Sequence, residues 1–194
     1  MPLTKTTAID TIDAWQAAAV AVTTVGAAKS LTDSFETILY VELAITNAAV
    51  NDGIDVIIEL SYADDEWVEF ARFTTPSTDP TTTTLDGEAA ATDTVIALTS
   101  SVDFNVEGKK WFILDGTIAN SETVRTISVS TNDVTIAQDL IRTHATASNV
   151  YSEVFEWIVQ LPFAAAQVRT SINNLDAGSA AAWTTRVSKV TALS

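Results

Sequence analysis

The chain has 194 residues, 47% of them hydrophobic, and carries 25 acidic side chains against 10 basic ones, a formal net charge of −15. That balance excludes a nucleic-acid phosphate backbone as partner, which needs a basic footprint, and disfavours an anionic membrane surface. There is no cysteine and one histidine, so disulfide frameworks, thiolate zinc sites, cysteine nucleophiles and metal sites built on two histidines are excluded, and no cofactor is expected.

In chain order, residues 1–14 are polar and Thr-rich and form an N-terminal arm. Ile9, Ile12 and Trp15 have helical spacing; a short helix, an arm laid on a partner and a frayed end all fit. MPLTKTTAIDTIDAW has no basic region leading into an apolar run, so it does not read as a signal peptide, and no run of about 18 apolar residues predicts a membrane span. Trp15 to Val25 is Ala/Val-rich and reads as one strand, with an Ala-rich helix as the alternative.

Residues 35–73 carry the clearest signal. Thr37, Leu39, Val41, Leu43 and Ile45 form one face against Ile38, Tyr40, Glu42, Ala44 and Thr46. This period of two is that of a strand buried on one side. Asn51-Asp52-Gly53 predicts a tight reversal, Ile54 to Tyr62 a second strand with Ile54, Val56, Ile58 and Leu60 inward, Asp64-Asp65-Glu66 a second turn, and Trp67 to Phe73 a third strand.

At Thr74 the composition changes. TTPSTDPTTTTLDG has two prolines, many threonines and no period, and reads as a linker. Beyond it, short strands are predicted at Thr94–Leu98, Lys110–Leu114, Glu122–Val129 and Val134–Ile136, with Thr131-Asn132-Asp133 as a hairpin tip and residues 139–149 as a loop holding His144. Such spacing suggests a small barrel or sandwich. From Tyr151 the longer strands resume at Val154–Gln160, Ala165–Ile172 and Ala181–Val190, with a turn at Asn173–Gly178. The expected fold class is all-β: residues 15–75 and 153–194 form one antiparallel sandwich, with 79–152 inserted as a small β-barrel-like domain at a loop tip, where insertions are tolerated.

Charge follows this division. Residues 1–75 hold three basic and twelve acidic side chains, residues 76–152 four and ten, and residues 153–194 three of each. The neutral C-terminal stretch is rich in Ala, Val and Trp and reads either as core strands or as a subunit contact. The interface candidates are Trp15, Trp67, Trp157, Trp183, Arg169 and Arg186.

No constellation specifies a reaction, so the expectation is that the protein is not an enzyme. His144 sits in RTHATAS, without a nucleophile elbow, and reads as a surface or turn histidine. Asp64-Asp65-Glu66 reads as a solvated hairpin tip, with calcium or a basic partner loop as the alternatives. The five tryptophans invite a sugar-binding reading, Trp67 foremost, but all lie in or beside predicted strands, where core or interface packing is the usual use.

One resemblance adds to this. Ala90–Leu98, then Phe104-Asn105-Val106-Glu107-Gly108-Lys109-Lys110, then Asn120–Ile127, and finally Val134-Thr135-Ile136 with His144-Ala145, follow the order of a small β module of tailed-bacteriophage structural proteins, which residues 79–152 therefore resemble. Glu107 is one residue more between Val106 and Gly108 than that module's usual spacing. Val168–Ile172, Ala177-Gly178-Ser179 and Arg186–Lys189 make the outer segments similar to phage head-decoration and other virion sandwich proteins. The resemblance implies a capsid decoration (cement) protein on the phage head exterior, bound to the major capsid protein as a homotrimer at capsomer junctions. Its alternatives are a tail, neck or fibre component, or a carbohydrate-binding host-adhesion module. An acidic protein without cysteine and with one methionine suits that role, since thiols and thioethers are the oxidisable side chains.

Overall fold

The computed structural model describes residues 5–9, 14–18, 22–32, 34–46, 53–63, 66–104, 106–174 and 180–193. The alternation that begins at Thr37 becomes strand β5 (Glu36–Ile45), preceded by β1 (Lys5–Ile9), β2 (Gln16–Ala18), β3 (Thr23–Val25) and β4 (Lys29–Ser30). The other long strands are β6 (Ile54–Ser61), β7 (Trp67–Thr74), β14 (Val154–Leu161), β15 (Gln167–Asn174) and β16 (Ala181–Leu193). Between β7 and β14 lie β8 (Thr82–Thr84), β9 (Val95–Ala97), β10 (Lys110–Leu114), β11 (Glu122–Ser130), β12 (Asp133–Ile136) and β13 (Asn149–Tyr151).

The long strands form two sheets. The front sheet runs β1-β16-β5-β14, with β2 also on β16; the back sheet runs β3-β15-β6-β7, with β4 also on β15. In each, two short strands share one edge. β1 lies along residues 188–193 of β16 and β2 along 181–183; β3 lies along 171–173 of β15 and β4 along 167–168. Counting each pair as one strand gives eight strands in the orders 1-8-3-6 and 2-7-4-5. All pairings are antiparallel, and strands 1 and 8, 2 and 7, 3 and 6, and 4 and 5 are neighbours. That winding of a folded ribbon is a jelly roll.

Its core follows from the period-two pattern. Leu39, Val41, Leu43 and Ile45 of β5 meet Ile54, Val56, Ile58 and Leu60 of β6, with Val168, Ile172, Trp183 and Val187 between them. Phe73 of β7 stacks on Trp157 of β14, ring centroids 5.8 Å apart, and Phe155 lies 6.2 Å from the same indole, closing the open side of the two sheets.

The connection from strand 5 to strand 6 is expanded into a second β unit. Its sheet runs β8-β13-β10-β11-β12-β9. The two end strands meet through the Leu85↔Leu98 bridge, backed by Asp86 N–H to Ala97 C=O and Thr99 N–H to Thr84 C=O, each 2.9 Å. The sheet therefore closes into a small barrel around Trp111, Ile113, Val134, Val150 and Leu98, with Phe104 edge-on to Trp111 at 4.8 Å. The hairpin β11–β12 turns at Thr131-Asn132, where Thr131 takes the left-handed backbone (φ 59°).

Several sequence expectations change here. Residues 5–9 are an edge strand paired with β16 rather than a frayed end, while most of the helix expected from Ile9, Ile12 and Trp15 lies outside the described residues. The single strand expected over 15–25 is two, because the chain leaves the front sheet after Ala18 and enters the back sheet at Thr23. The expected linker contains β8: Thr82–Thr84 pairs with β13, as β-branched threonine allows. The loop expected at 139–149 ends in β13, itself unforeseen. Asn173 and Asn174 belong to β15. The predicted turns at Asn51-Asp52, Asp64-Asp65 and residues 175–178 lie outside the described residues.

Gly26 marks the tightest packing. It lies between β3 and β4, and a Cβ there would sit 2.3 Å from Cη2 of Trp183 and 2.8 Å from the Thr170 carbonyl. Trp183, 1% exposed, has nowhere to retreat. Gly26→Ala is expected to lower unfolding stability by about 1–3 kcal/mol, the usual cost of overpacking, measured by chemical denaturation; an unchanged midpoint would contradict this packing.

Candidate functional site

Side chains come together at the seat of the barrel on the front sheet, around a buried histidine and at the far end of the sandwich, among other places.

The seat is built from small residues. Ala44 and Ala182 are register partners on β5 and β16, out of phase with the inward Leu43 and Trp183, so they face outward. Onto that flat patch pack Phe112 of β10, Tyr151 of β13 and Trp15, with the Trp15 and Phe112 centroids 4.4 Å apart. Beside this apolar contact is an ionic one. Lys110 of β10 reaches both Glu42 of β5 and Glu156 of β14, and Arg125 of β11 stands 3.6 Å from Glu156. Burial alone would lower the Lys110 pKa, but its bonds to Glu156 and Glu42 outweigh that and raise it. The bond from Lys110 in turn holds the Glu156 carboxyl below its ordinary range. Next to the seat, a cleft of about 530 Å³ lies between the front sheet and the barrel loop 138–142.

His144 is not a surface histidine. It is fully buried, its backbone bridges Ala89, and each ring nitrogen faces a carboxylate. Nε2–H donates to Glu122 Oε1 at 2.8 Å, and Nδ1 lies 3.4 Å from Asp115 Oδ2. Glu122 also accepts the backbone N–H groups of Ile141 and Arg142, each at 3.0 Å. Burial would push the Glu122 carboxyl up; these bonds outweigh it and hold the group below its usual value. The arrangement pins loop 139–144 to the barrel wall and leaves the imidazole no access to a substrate. Sequence reasoning missed this because RTHATAS is locally polar, while the partners lie about 20 and 30 positions away.

The far end of the sandwich, opposite the barrel, consists of the β4–β5, β6–β7 and β14–β15 connections. Each carries an exposed aromatic: Phe35 (54%), Tyr62 (49%) and Phe163 (74%). Phe35 and Phe163 line a shallow groove of about 330 Å³ with Leu31 and Ala165. An exposed apolar cluster of this kind marks a contact surface. Phe35 and Phe163 stand in the sequence as large aromatics outside the predicted strand periods, whereas Tyr62 ends a predicted strand that stops at Ser61 in the structure.

The six interface candidates do not form one surface. Trp183 is in the sandwich core and Trp15 is buried under the barrel, so neither presents a face to a partner. Trp157 closes the sandwich side. Trp67 and Arg169 lie together on the outer face of the back sheet, the guanidinium 4.2 Å above the indole centroid, while Arg169 also forms a two-point bond with Glu59, both contacts 2.9 Å. That bond holds the Glu59 carboxyl below its ordinary range. Arg186 lies over Tyr40 at 4.5 Å on the front sheet. Trp111 fills the barrel. The indole best placed for a sugar is thus already covered by arginine. Glu66 is exposed; Asp64 and Asp65 lie outside the described residues.

No family model matches the chain, and no curated protein matches it. Among solved structures, it is similar to a chain in the structure of infectious bursal disease virus, Gx strain, at 11% identity and a TM-score of 0.22, over 97% of this chain and 40% of that one. It is also similar to VP17, a capsid protein of bacteriophage P23-77, at 8% identity and a TM-score of 0.19, over 98% of this chain and 99% of that one. The chain therefore spans well under half of the first of these. These are weak likenesses to viral structures, and at such TM-scores they decide neither fold nor role.

Two outcomes follow. Glu122, Glu156 and Glu59 have folded pKa values below their unfolded ones, so the stability they contribute is complete above the unfolded glutamate range and is lost as pH falls through the folded values. The melting temperature should therefore hold steady near neutrality and fall progressively as the pH drops below about 5, where unfolded glutamates begin to take up protons; a flat profile would contradict the pairings. Removing the hydrogen-bond partner of buried Glu122, as in His144→Ala, should cost about 1–3 kcal/mol in chemical denaturation and raise amide exchange in residues 139–144; an unchanged midpoint would mean the bond does not hold the loop.

Proposed function

We propose that this protein is a structural component of a virion, and more specifically a decoration (cement) protein on the outside of a phage head. The observation that carries the reading is the polarity of the molecule. A jelly-roll body, a winding found in viral capsid and lectin domains, has a bare aromatic end at one pole and an acidic barrel set into the connection at the other. On this reading the end bearing Phe35, Tyr62 and Phe163 docks on the major capsid protein. Residues 79–152 act as a separate unit that faces solvent, where their surplus of carboxylates keeps neighbouring particles apart. Homotrimers at capsomer junctions would repeat a modest contact by symmetry and so brace the shell.

A second reading has support from the strand order itself. The orders 1-8-3-6 and 2-7-4-5 with an insertion at one end also suit a shell-forming subunit whose sandwich lies in the shell and whose barrel projects. The two readings differ in assembly: a decoration protein adds to finished shells, whereas a shell subunit builds them.

The test is binding to isolated heads, by co-sedimentation and cryo-electron microscopy. The expected result is a symmetric set of copies on the outer surface, with the aromatic end inward. A Phe35→Ser/Phe163→Ser variant, altered only at exposed positions, should keep its melting temperature within about 2 °C yet lose binding. Failure of the wild-type protein to bind heads would overturn the decoration role, and closed shells formed by the purified protein alone would establish the second reading.

A further inference from the structure

The cleft between the front sheet and the barrel has a feature that bracing a shell does not require. Each wall offers one isoleucine and one arginine that pairs with no carboxylate among the described residues; the barrel wall also carries Arg125, which is engaged with Glu156 at 3.6 Å. Ile158 of β14 and Arg186 of β16 stand on the sandwich side; Ile141 and Arg142 stand on the barrel loop. The two isoleucines are 65% and 68% exposed, unusually open for β-branched residues lining a concavity.

The charges in the cleft are unequally used. Lys110 holds Glu42 and Glu156, and Glu122 is taken by His144 and two backbone N–H groups. Arg142 is steadied by one bond from Nη1 to the Ser121 carbonyl at 3.1 Å, and Arg186 by the Tyr40 ring. Among the described residues neither guanidinium has a carboxylate partner, so each keeps donors for an anion. Asp139 also lines the cleft. With that carboxylate and the neutralised glutamates nearby, the site favours a single negative charge over a phosphate dianion.

We propose that this cleft binds an aliphatic monocarboxylate, its carboxylate taken by Arg186 and Arg142 and its hydrocarbon part lying between Ile158 and Ile141. The volume of about 530 Å³ is in the range of small-molecule sites. Because the two walls belong to different β units, a bound carboxylate clamps the barrel to the sandwich. The inference stands on the cleft alone and is independent of the capsid reading.

The test titrates the full-length protein with hexanoate, hexanol and inorganic phosphate, followed by the methyl resonances of Ile141 and Ile158 and the Nε resonances of the two arginines. Saturable shifts with hexanoate, and none with hexanol or phosphate, are the expected result. Arg186→Gln and Arg142→Gln should each weaken hexanoate by about tenfold or more, the loss of a charge-assisted bond, whereas Arg72→Gln on the back sheet should leave it unchanged. Shifts that never saturate, that survive both arginine variants, or that phosphate reproduces would overturn the proposal.

Discussion

The structure depends on one hydrogen-bonded ladder. Strand β5 lies between β14 and β16 and pairs antiparallel with both along its length. Those partners come from beyond residue 153, so closing the ladder joins segments separated by more than a hundred positions. Such a loop is entropically tolerable, since closure cost grows only with the logarithm of length, but it places most contacts far apart in sequence and makes folding slow. The apolar inner face of β5 supplies the return: Leu39, Val41, Leu43 and Ile45 are wholly or almost wholly buried.

The same ladder shapes the outer surface. A strand buried on one side has an outer face free for other use, and β5 uses its own in two ways. Near Ile45 the outer side chain is Ala44, beside Ala182, and the barrel sits there. Further along come Glu42 and Tyr40, which receive Lys110 and Arg186. Small residues where a body must rest and charged ones where a cleft must stay open account for the placement of the barrel. The opposite pole has no such cover, and its three aromatics remain in water.

What could be read from the sequence tracks how local each signal is. Strands β5 and β6 show their faces within a few residues, so alternation gives their place to within a residue or so, and β10 shows as a short apolar run between turns; the all-β class follows from them. Strand β8 could not be read that way, because a run of threonines has no inner and outer face. The break between Ala18 and Thr23 was hidden because alanine and valine continue through the point where the chain changes sheets. His144 was misread because its burial depends on Glu122 of β11, 22 positions away, whose carboxylate takes the Nε2–H at 2.8 Å. Residue type left both core and interface packing open for the tryptophans, and Trp15 and Trp183 are spent on packing; the aromatics exposed at the far pole, Phe35, Tyr62 and Phe163, lie in turns. Surface use is a property of the assembled end, to which no single segment points.

The claim underlying all of this is that the segment around residue 40 and the one around residue 185 are neighbours in the front sheet. Ile38 and Ser188 are directly opposed there, and the chain has no cysteine of its own to interfere. An Ile38→Cys/Ser188→Cys variant tests the claim, since opposed strand positions fall within disulfide reach. The account predicts an intramolecular disulfide in nearly all monomers under mild oxidation, with the circular dichroism spectrum unchanged. Two free thiols, or cross-links only between molecules, would contradict it.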